Sequence, residues 1–308
     1  MDMAEHDRLS TRLRGTLRRD EPMAKHVSWR AGGKARTFYQ PADVADLAAF
    51  VRAMPAGEKV LFVGLGSNLL VRDGGFAGTV LLTHHALTGI TQEADRGERL
   101  VFTAGAGVPA PHLARFVAKH GGAGAEWMAG IPGTVGGALA MNAGCYGGEM
   151  WDHVESVTVL GHDGEFATRT REDYEIGYRR VVLKLPYEEW FISATVSFAR
   201  GDETVAMRRI KELLMRRVAT QPLSEPNAGS VFRNPDGDHA ARLIEACGLK
   251  GYTVGGAQVS TKHANFIVNK GGASAADIEA VIDHVQKTVW AREGADLARE
   301  VHIVGDRA

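Results

Sequence analysis

This 308-residue sequence has few cysteines, almost no net charge and no long apolar run. Two cysteines, Cys145 and Cys247, are too few for a disulfide framework or a thiolate metal site. A formal net charge of −1 argues against a nucleic-acid-binding or membrane-surface protein. No apolar run approaches the roughly 18–20 residues that span a bilayer. The histidines show no metal-ligand spacing. We therefore expect no metal, no nucleic acid, no membrane and no obligate protein partner.

The N-terminal segment, residues 1–19, lacks the apolar stretch of a secretory signal, which predicts a cytoplasmic protein. Leu9, Leu13 and Leu17 recur at intervals of four, with arginines around them. This spacing predicts an amphipathic helix that packs on the protein. A helix lying on a membrane surface is the alternative.

Glycine is what the sequence has in excess. It supplies 37 of the 308 residues, against a usual level of about 7%. Residues 63–78 hold five glycines and residues 121–148 hold ten. A surplus confined to two windows is neither low complexity nor a linker. It indicates two places where the backbone needs positive φ or must closely approach another group.

The remaining patterns predict an α+β fold. Apolar spacing predicts helices over residues 41–54 and 109–120, with strands between and after them. Beyond residue 202 helices dominate, over residues 202–217, 240–247 and 274–292. Ser274 and Asp277 have the spacing of a capping box, and Gly294 is a stop signal. We place a domain boundary near residues 200–202.

The first glycine window follows a predicted strand over residues 59–63 and reads Gly64-Leu65-Gly66-Ser67-Asn68-Leu69. It is not a dinucleotide fingerprint, because Leu69 replaces the third glycine and no crossover helix fits before Asp73-Gly74-Gly75. A Walker lysine is also absent. The remaining turn can direct N–H groups and a hydroxyl at a phosphate or pyrophosphate. A tight β-turn without a ligand is the alternative.

The second window is almost entirely glycine and apolar residues. It runs through Gly130-Ile131-Pro132-Gly133-Thr134-Val135-Gly136-Gly137 to Asn142-Ala143-Gly144. A surface loop would be polar, so we interpret this stretch as backbone packed against a flat ligand. A glycine-rich packing loop is the alternative.

Both windows, with five later segments, resemble the UDP-N-acetylenolpyruvoylglucosamine reductase family. The later segments are Tyr178-Arg179, residues 227–235, 256–260 and 263–269, and Glu300-Val301. The ordered match covers roughly residues 26–305. It implies an FAD-binding unit of the vanillyl-alcohol-oxidase (PCMH) type in two subdomains, 1–85 and 86–200. A C-terminal α+β substrate domain, 201–308, would follow.

The resemblance also implies the reaction and its cofactors. NADPH would reduce non-covalent FAD, and the flavin would pass hydride to UDP-N-acetylglucosamine enolpyruvate, giving UDP-N-acetylmuramate for peptidoglycan. The first window would hold the FAD pyrophosphate, and the second would follow more of the cofactor. Cys145 would pack rather than attach the flavin. The implied cofactor-binding residues are Gly64, Gly66, Ser67, Asn68, Leu69, Gly130, Ile131, Pro132, Gly133, Thr134, Gly136, Gly137, Asn142, Ala143 and Gly144.

Three residues would carry the chemistry by this resemblance. Negative charge builds on the substrate carboxylate as hydride arrives, so Arg179 would bind it and a protonated Glu300 would donate to it. Ser230 would protonate the α-carbon. No nucleophile elbow surrounds this serine, so hydrolysis is disfavoured. Tyr178, Asn234 and Gln258 would contact the substrate.

The sequence departs from the family at Val181, where many members have serine. The short interval from Tyr178 to Phe191 indicates the shorter subtype, with a more open site. Three alternatives stay open at this point. They are an oxygen-using sugar or lactone oxidase of the same flavin fold, a non-enzymatic flavin- or nucleotide-binding module, and a globular protein whose glycine loops bind nothing.

Overall fold

The computed structural model describes residues 13–308, which form two compact units. The described part of the first unit comprises residues 13–18, Phe38–Gly64 and Thr79–Met215. The second unit comprises Arg19–Thr37, Leu65–Gly78 and Arg216–Ala308. Each unit is therefore assembled from segments that are distant in the sequence.

A four-stranded sheet is formed near the start of the chain. Its strands, in spatial order, are β1 (Thr16–Pro22), β2 (Lys34–Gln40), β5 (Phe76–Leu82) and β3 (Val60–Val63). Strands β3 and β5 are parallel. Helix α1 (Val44–Ala53) begins at Asp43, whose carboxylate accepts a 2.9 Å hydrogen bond from the Asp46 N–H. Tyr39 stacks on Phe50 of this helix in a small apolar core.

The larger sheet of the first unit is antiparallel. Its strands, in spatial order, are β12 (Phe166–Arg169), β11 (Val154–Gly161), β15 (Glu189–Arg200), β7 (Arg99–Gly105) and β6 (Ile90–Asp95). The short β8 (Gly122–Ala123) pairs with the end of β15. Helices α2 (Ala110–Lys119) and α3 (Val135–Ala140) bury apolar side chains in the same core as this sheet. Two short hairpins complete the unit: β9 (Gly144–Cys145) with β10 (Gly148–Glu149), and β13 (Tyr174–Gly177) with β14 (Arg180–Leu183).

The second unit has a core centred on its longest complete helix. Strands β16 (Thr253–Val254), β17 (Ala257–Val259) and β18 (Ile267–Asn269) form an antiparallel sheet, and β4 (Leu69–Val71) pairs in parallel with β19 (His302–Val304). The helices are α5 (Ala240–Ala246) and α6 (Ala275–Glu293), while α4 (Glu203–Thr220) crosses the boundary between the units. Helix α6 starts with the predicted Ser274–Asp277 capping box and ends at Gly294, which has φ +68°. Its buried stripe is Ile278, Val281, Ile282, Val285 and Val289.

The predicted N-terminal helix is wrong where it falls within the described residues. Residues 16–19 belong to β1, and residues 1–12 lie outside the described part. Pairing in the sheet outweighs the local leucine spacing, and Leu17 packs half-buried against the Tyr39–Phe50 core from a strand. In residues 13–308, no helix is long and apolar enough to cross a membrane, and no three His, Cys, Asp or Glu side chains form a group able to hold a metal.

Candidate cofactor and active site

The two glycine windows meet at Gly64 and Thr134 in the first unit. Thr134 is the N-cap of α3, where its hydroxyl accepts a hydrogen bond from the Gly137 N–H. A Cβ on residue 64 would overlap the Thr134 Oγ1, so only glycine fits there. His84 Nδ1 lies 3.0 Å from the Gly64 carbonyl oxygen. The structure thus brings the start of the first predicted cofactor loop against the second.

The first loop continues in the second unit as a turn that requires glycine at position 66. Gly66 has φ +59°, and a Cβ there would overlap the His26 carbonyl oxygen. The Gly66 carbonyl accepts a 3.1 Å hydrogen bond from the Ser28 N–H. Within residues 13–308, the N–H groups of Leu65, Gly66 and Ser67 donate to no backbone carbonyl. A turn with consecutive uncommitted N–H groups fits a phosphate or pyrophosphate.

The second loop uses part of its glycine content for packing within the protein. The N–H groups of Val135 and Gly136 donate to the carbonyls of Val108 and Ala106, both at 2.8 Å. A Cβ on Gly136 would lie 2.8 Å from the Ala106 Cβ. A Cβ on Gly130 would lie 2.7 Å from the Cys145 sulfur. The small size of these two glycines is therefore needed by neighbouring protein atoms, whatever else the loop binds.

Arg179 lies on the two-residue turn between β13 and β14 and contacts the end of the second loop. Its Nη1 donates to the Asn142 carbonyl at 3.3 Å, and its Nη2 donates to the Gly144 carbonyl at 2.6 Å. Its guanidinium carbon lies 5.0 Å from the ring centre of Tyr178, which is itself exposed. Arg179 has φ +53°, a conformation uncommon for residues other than glycine. In this conformation the guanidinium lies beside residues 142–144.

The buried Asn142 side chain holds the same loop in place by hydrogen bonds to other protein groups. Its Nδ2 donates to Glu149 at 2.8 Å and to the Gly177 carbonyl at 3.2 Å, while its Oδ1 accepts from the Trp151 N–H at 3.1 Å. The side chain is thus committed to protein groups. Within this predicted cofactor segment, Asn142 holds the loop and the Arg179 turn together.

In the second unit, Ser230 and Glu300 lie on two backbone segments that are hydrogen-bonded to each other. The Glu300 N–H donates to the Val231 carbonyl at 2.8 Å, and Phe232 forms an antiparallel bridge with Arg299. The pairing therefore places the main chains of two of the three predicted catalytic residues on adjacent segments. Arg179, the third, belongs to the first unit.

The loop that carries Ser230 is shaped by Asn227, which sequence reasoning did not single out. The Asn227 Oδ1 accepts a 3.0 Å hydrogen bond from the N–H of Gly229, a residue with φ +74°. Its Nδ2 donates to the carbonyls of Pro222 and Glu225. The Ser230 hydroxyl makes no hydrogen bond to any residue in the described range 13–308. The loop thus fixes the backbone of Ser230 while its side chain is left uncommitted.

Two of the predicted substrate contacts also have structural partners. The Asn234 Oδ1 accepts from the Ala240 N–H at 3.1 Å, at the start of α5. The Gln258 Nε2 donates to the Thr253 Oγ1 at 3.0 Å across the β16–β17 hairpin. These bonds leave each amide with further hydrogen-bonding capacity.

Positive charge accompanies the Ser230 segment. Arg233 has a buried Nε with no hydrogen-bond partner among the described residues. Burial, reinforced by the charge of Arg233, lowers the pKa of His302 below its usual range. His302 is therefore neutral at neutral pH, so the positive charge here belongs to arginine.

Comparisons with known proteins identify the class and then the family. A family model described as an FAD binding domain matches residues 35–169. Together with the two glycine loops, this match defines an FAD-binding protein. A second model, described as UDP-N-acetylenolpyruvoylglucosamine reductase, C-terminal domain, matches residues 221–304. The predicted α+β fold, with an FAD-binding region followed by a C-terminal domain, is confirmed.

Three similar proteins show how far the likeness extends. The UDP-N-acetylenolpyruvoylglucosamine reductase of Thiobacillus denitrificans is 56% identical over 304 residues, covering 96% of this chain and 94% of the relative. That of Methylococcus capsulatus is 55% identical over 293 residues, covering 95% and 94%. The crystal structure of UDP-N-acetylenolpyruvylglucosamine reductase from Thermus caldophilus matches with a TM-score of 0.76 at 32% identity, covering 94% of this chain and 99% of that one. The chain belongs to the UDP-N-acetylenolpyruvoylglucosamine reductase family, as the sequence motifs predicted.

Proposed function

We propose that this chain is an FAD-dependent oxidoreductase that uses NADPH to reduce UDP-N-acetylglucosamine enolpyruvate to UDP-N-acetylmuramate, a step of peptidoglycan synthesis. Family membership gives the reaction class. The observation that carries the proposal is the hydrogen bond from the Glu300 N–H to the Val231 carbonyl, which sets Glu300 beside the Ser230 segment. An acid and a hydroxyl on paired segments suit the protonation that must complete such a reduction.

Residues 64–69, 130–137 and 142–144 would hold the FAD. The Gly66 turn fits the pyrophosphate, and the contact between Gly64 and Thr134 joins the first two segments. When bound there, FAD would supply the hydride chemistry that connects NADPH with the substrate's β-carbon. The Cys145 thiol donates to the Trp127 carbonyl at 2.9 Å and Cys247 is buried, which supports non-covalent binding.

The protein's own groups would act on the charge that develops at the substrate. Arg179 would bind the carboxylate through its planar guanidinium, and Glu300 in its protonated form would donate a second hydrogen bond. Ser230 would deliver the proton to the α-carbon from one face. Tyr178, Asn234 and Gln258 are proposed to contact the substrate.

The proposed domain limits are 1–85 and 86–200 for the FAD-binding subdomains and 201–308 for the substrate domain. The matches at 35–169 and 221–304 support the order of these regions. The compact units group residues 19–37 and 65–78 with the C-terminal region, so these limits describe the sequence rather than the units. Cytoplasmic location and the shorter subtype stay predictions.

Anaerobic half-reactions test the proposal. NADPH should bleach the yellow protein, and UDP-N-acetylglucosamine enolpyruvate should restore the colour. Ser230→Ala should leave bleaching within about twofold and slow recolouring by roughly 10²–10⁴-fold, the usual contribution of general acid catalysis. Ser224→Ala, in the exposed loop before it, is the control. Equal loss in both half-reactions would remove Ser230 from the proton-donor role, and no recolouring of the unaltered protein would remove the proposed activity.

A further inference from the structure

Asn265 is a buried polar residue that the reaction described above does not use. It precedes β18 and has only 3% of its surface exposed. Its main-chain carbonyl accepts from the Val231 N–H at 2.9 Å. Its Oδ1 accepts from the Phe232 N–H at 3.0 Å, and its Nδ2 donates to the Phe232 carbonyl at 2.8 Å. One residue thus makes three hydrogen bonds to the two positions that directly follow Ser230.

The side chain at position 265 must offer a donor and an acceptor at once. A carboxamide does so from one planar group, whereas an ionised carboxylate only accepts and an apolar side chain does neither. With asparagine, both polar groups of Phe232 are satisfied in a buried setting, where an unpaired group is costly. The residue type, and not only its volume, therefore matters here.

Asn265 is itself held rigidly by the preceding loop. The Ser260 Oγ accepts from the Lys262 N–H at 3.1 Å, and the Phe266 N–H donates to the His263 carbonyl at 3.0 Å. The Asn265 N–H lies 3.3 Å from the His263 Nδ1. The side chain that holds the Ser230 segment thus projects from a fixed turn.

The hydrogen bonds of Asn265 are connected to Glu300 through Val231. Val231, which donates to Asn265, accepts through its carbonyl from the Glu300 N–H at 2.8 Å. Displacing Val231 would therefore move the Ser230 hydroxyl and the Glu300 carboxyl together. Proton delivery depends on placement, and an error of about 1 Å can cost on the order of 100-fold in rate.

We propose that Asn265 is a positioning residue that fixes Ser230 and Glu300 for protonation of the substrate by holding the main chain of Val231 and Phe232. The inference rests on the proton-donor role proposed for Ser230. It concerns how that donor is held and requires no contact between Asn265 and any ligand.

The test compares Asn265→Asp with a matched change elsewhere in the second unit. Asn269, at the end of β18, has 7% of its surface exposed. Its side chain also makes three hydrogen bonds, to the Trp29 carbonyl and from the N–H groups of Gly271 and Ala273. Asn269→Asp is therefore a control for the cost of placing a carboxylate in this core without disturbing the Ser230 segment directly.

In the FAD-loaded enzyme, Asn265→Asp should leave flavin reduction by NADPH within about twofold and slow reoxidation by the enolpyruvyl substrate by roughly 10- to 100-fold. Asn269→Asp should lower the melting temperature to a similar extent and leave both half-reactions within about twofold. Asn265→Ser, whose shorter side chain ends before the positions of Oδ1 and Nδ2 but adds no charge, should also slow reoxidation, and it serves if the aspartate variant does not fold.

Amide hydrogen exchange gives a readout that is independent of turnover. Exchange in a peptide covering residues 229–234 should rise in Asn265→Asp and stay unchanged in Asn269→Asp, because only the first removes the donor to the Phe232 carbonyl and sets a carboxylate against it, which loosens this segment. Unchanged exchange, an unchanged reoxidation rate, or an equal slowing in Asn269→Asp would each overturn the inference. A Ser230→Ala enzyme that reoxidises at the normal rate would instead overturn the role of Ser230, which separates the two failures.

Discussion

The side-chain amide of Asn68 donates a 3.0 Å hydrogen bond to the main-chain carbonyl of Glu300. The His302 N–H donates in turn to the Asn68 carbonyl at 3.0 Å, after which β19 runs parallel to β4. The turn proposed to hold the FAD pyrophosphate thus ends on the segment that carries the proposed acid. The spacing between these two segments is fixed within the second unit by one hydrogen bond from the Asn68 side chain and one between main-chain groups.

Glu300 offers a test of the protonated acid. Glu300→Gln should retain at least about tenfold more substrate-dependent reoxidation than Glu300→Ala, because an amide still donates a hydrogen bond to the developing charge. Stopped-flow absorbance of the flavin measures the rate. The hydrogen bond to Val231 is made by the main chain of residue 300, so neither substitution removes it, and a difference between the two variants reports on the side chain alone. Identical losses in the two variants would exclude hydrogen-bond donation as the role of Glu300.

Gly64 tests the junction of the two loops proposed to bind FAD. Gly64→Ala should reduce the FAD content of the purified protein severalfold, because the added Cβ overlaps the Thr134 Oγ1 and forces the loops apart. The ratio of flavin to protein absorbance measures the FAD content. Gly89→Ala is the matched control, since a Cβ at that position has open space around it. Full FAD content in Gly64→Ala would show that the junction can shift without affecting cofactor binding.

Arg179 tests the need for a planar guanidinium. Arg179→Lys should lower kcat/KM for the enolpyruvyl substrate by roughly 100-fold, because an ammonium group cannot bind a carboxylate with two parallel bonds. It also cannot reproduce the paired contacts to the carbonyls of Asn142 and Gly144. Arg180→Lys is the control, since among the described residues the Arg180 side chain pairs with Glu175 in an exposed position. Similar steady-state kinetics in the two variants would count against Arg179 as the carboxylate ligand.

Glu279 should make the free energy of unfolding depend on pH in the acid range. This residue is only 5% exposed, and its carboxylate receives two 2.9 Å hydrogen bonds from Arg72 and one of 3.1 Å from Arg307, which together lower its pKa from 4.5 to about 2. Because the folded-state pKa is depressed, the stabilisation is complete above pH 4.5 and is lost as the pH falls towards 2.

Glu279→Gln should therefore lower the free energy of unfolding at pH 7 by on the order of 2 kcal/mol, since Arg72 and Arg307 remain partly in water. It should also flatten the acid limb of the stability profile. Urea unfolding between pH 2 and 7 measures both effects. Glu245→Gln, which removes an exposed pair with Lys250, should change little. A parallel acid limb in Glu279→Gln and the unaltered protein would assign that limb to other carboxylates.

Elements with strong local signals could be predicted from the sequence. Helix α6 has a capping box, a continuous apolar stripe and a terminal glycine, and its predicted limits agree with the structure. Strand β6 has no such pattern, because most of its residues are exposed and do not alternate. The predicted N-terminal helix failed because three leucines specify a helix only where no neighbouring strand competes for the same backbone.

Prediction of the site from the sequence was likewise limited to features with a local signal. The sequence located both glycine loops, but it could not tell a glycine that faces a ligand from one that faces protein. Gly136 needs its small size beside Ala106, a neighbour far away in the sequence. The link between Asn265 and Phe232 joins residues 33 positions apart, and no local spacing reveals it.

Strand β4 has its parallel partner in β19, and the neighbouring Asn68 and Glu300 are 232 positions apart. On the ribosome, β4 is therefore made long before the strand that completes its pairing. Strand β4, which follows the glycine turn, has no β19 to pair with until residues 302–304 have been synthesised. Pairing of residues so distant in the sequence carries a high loop-closure entropy cost, which slows folding. The turn proposed to hold the pyrophosphate can therefore gain its β19 neighbour only after the C-terminal residues have been made, and a proteolytic cut that removes β19 would leave β4 without its parallel partner.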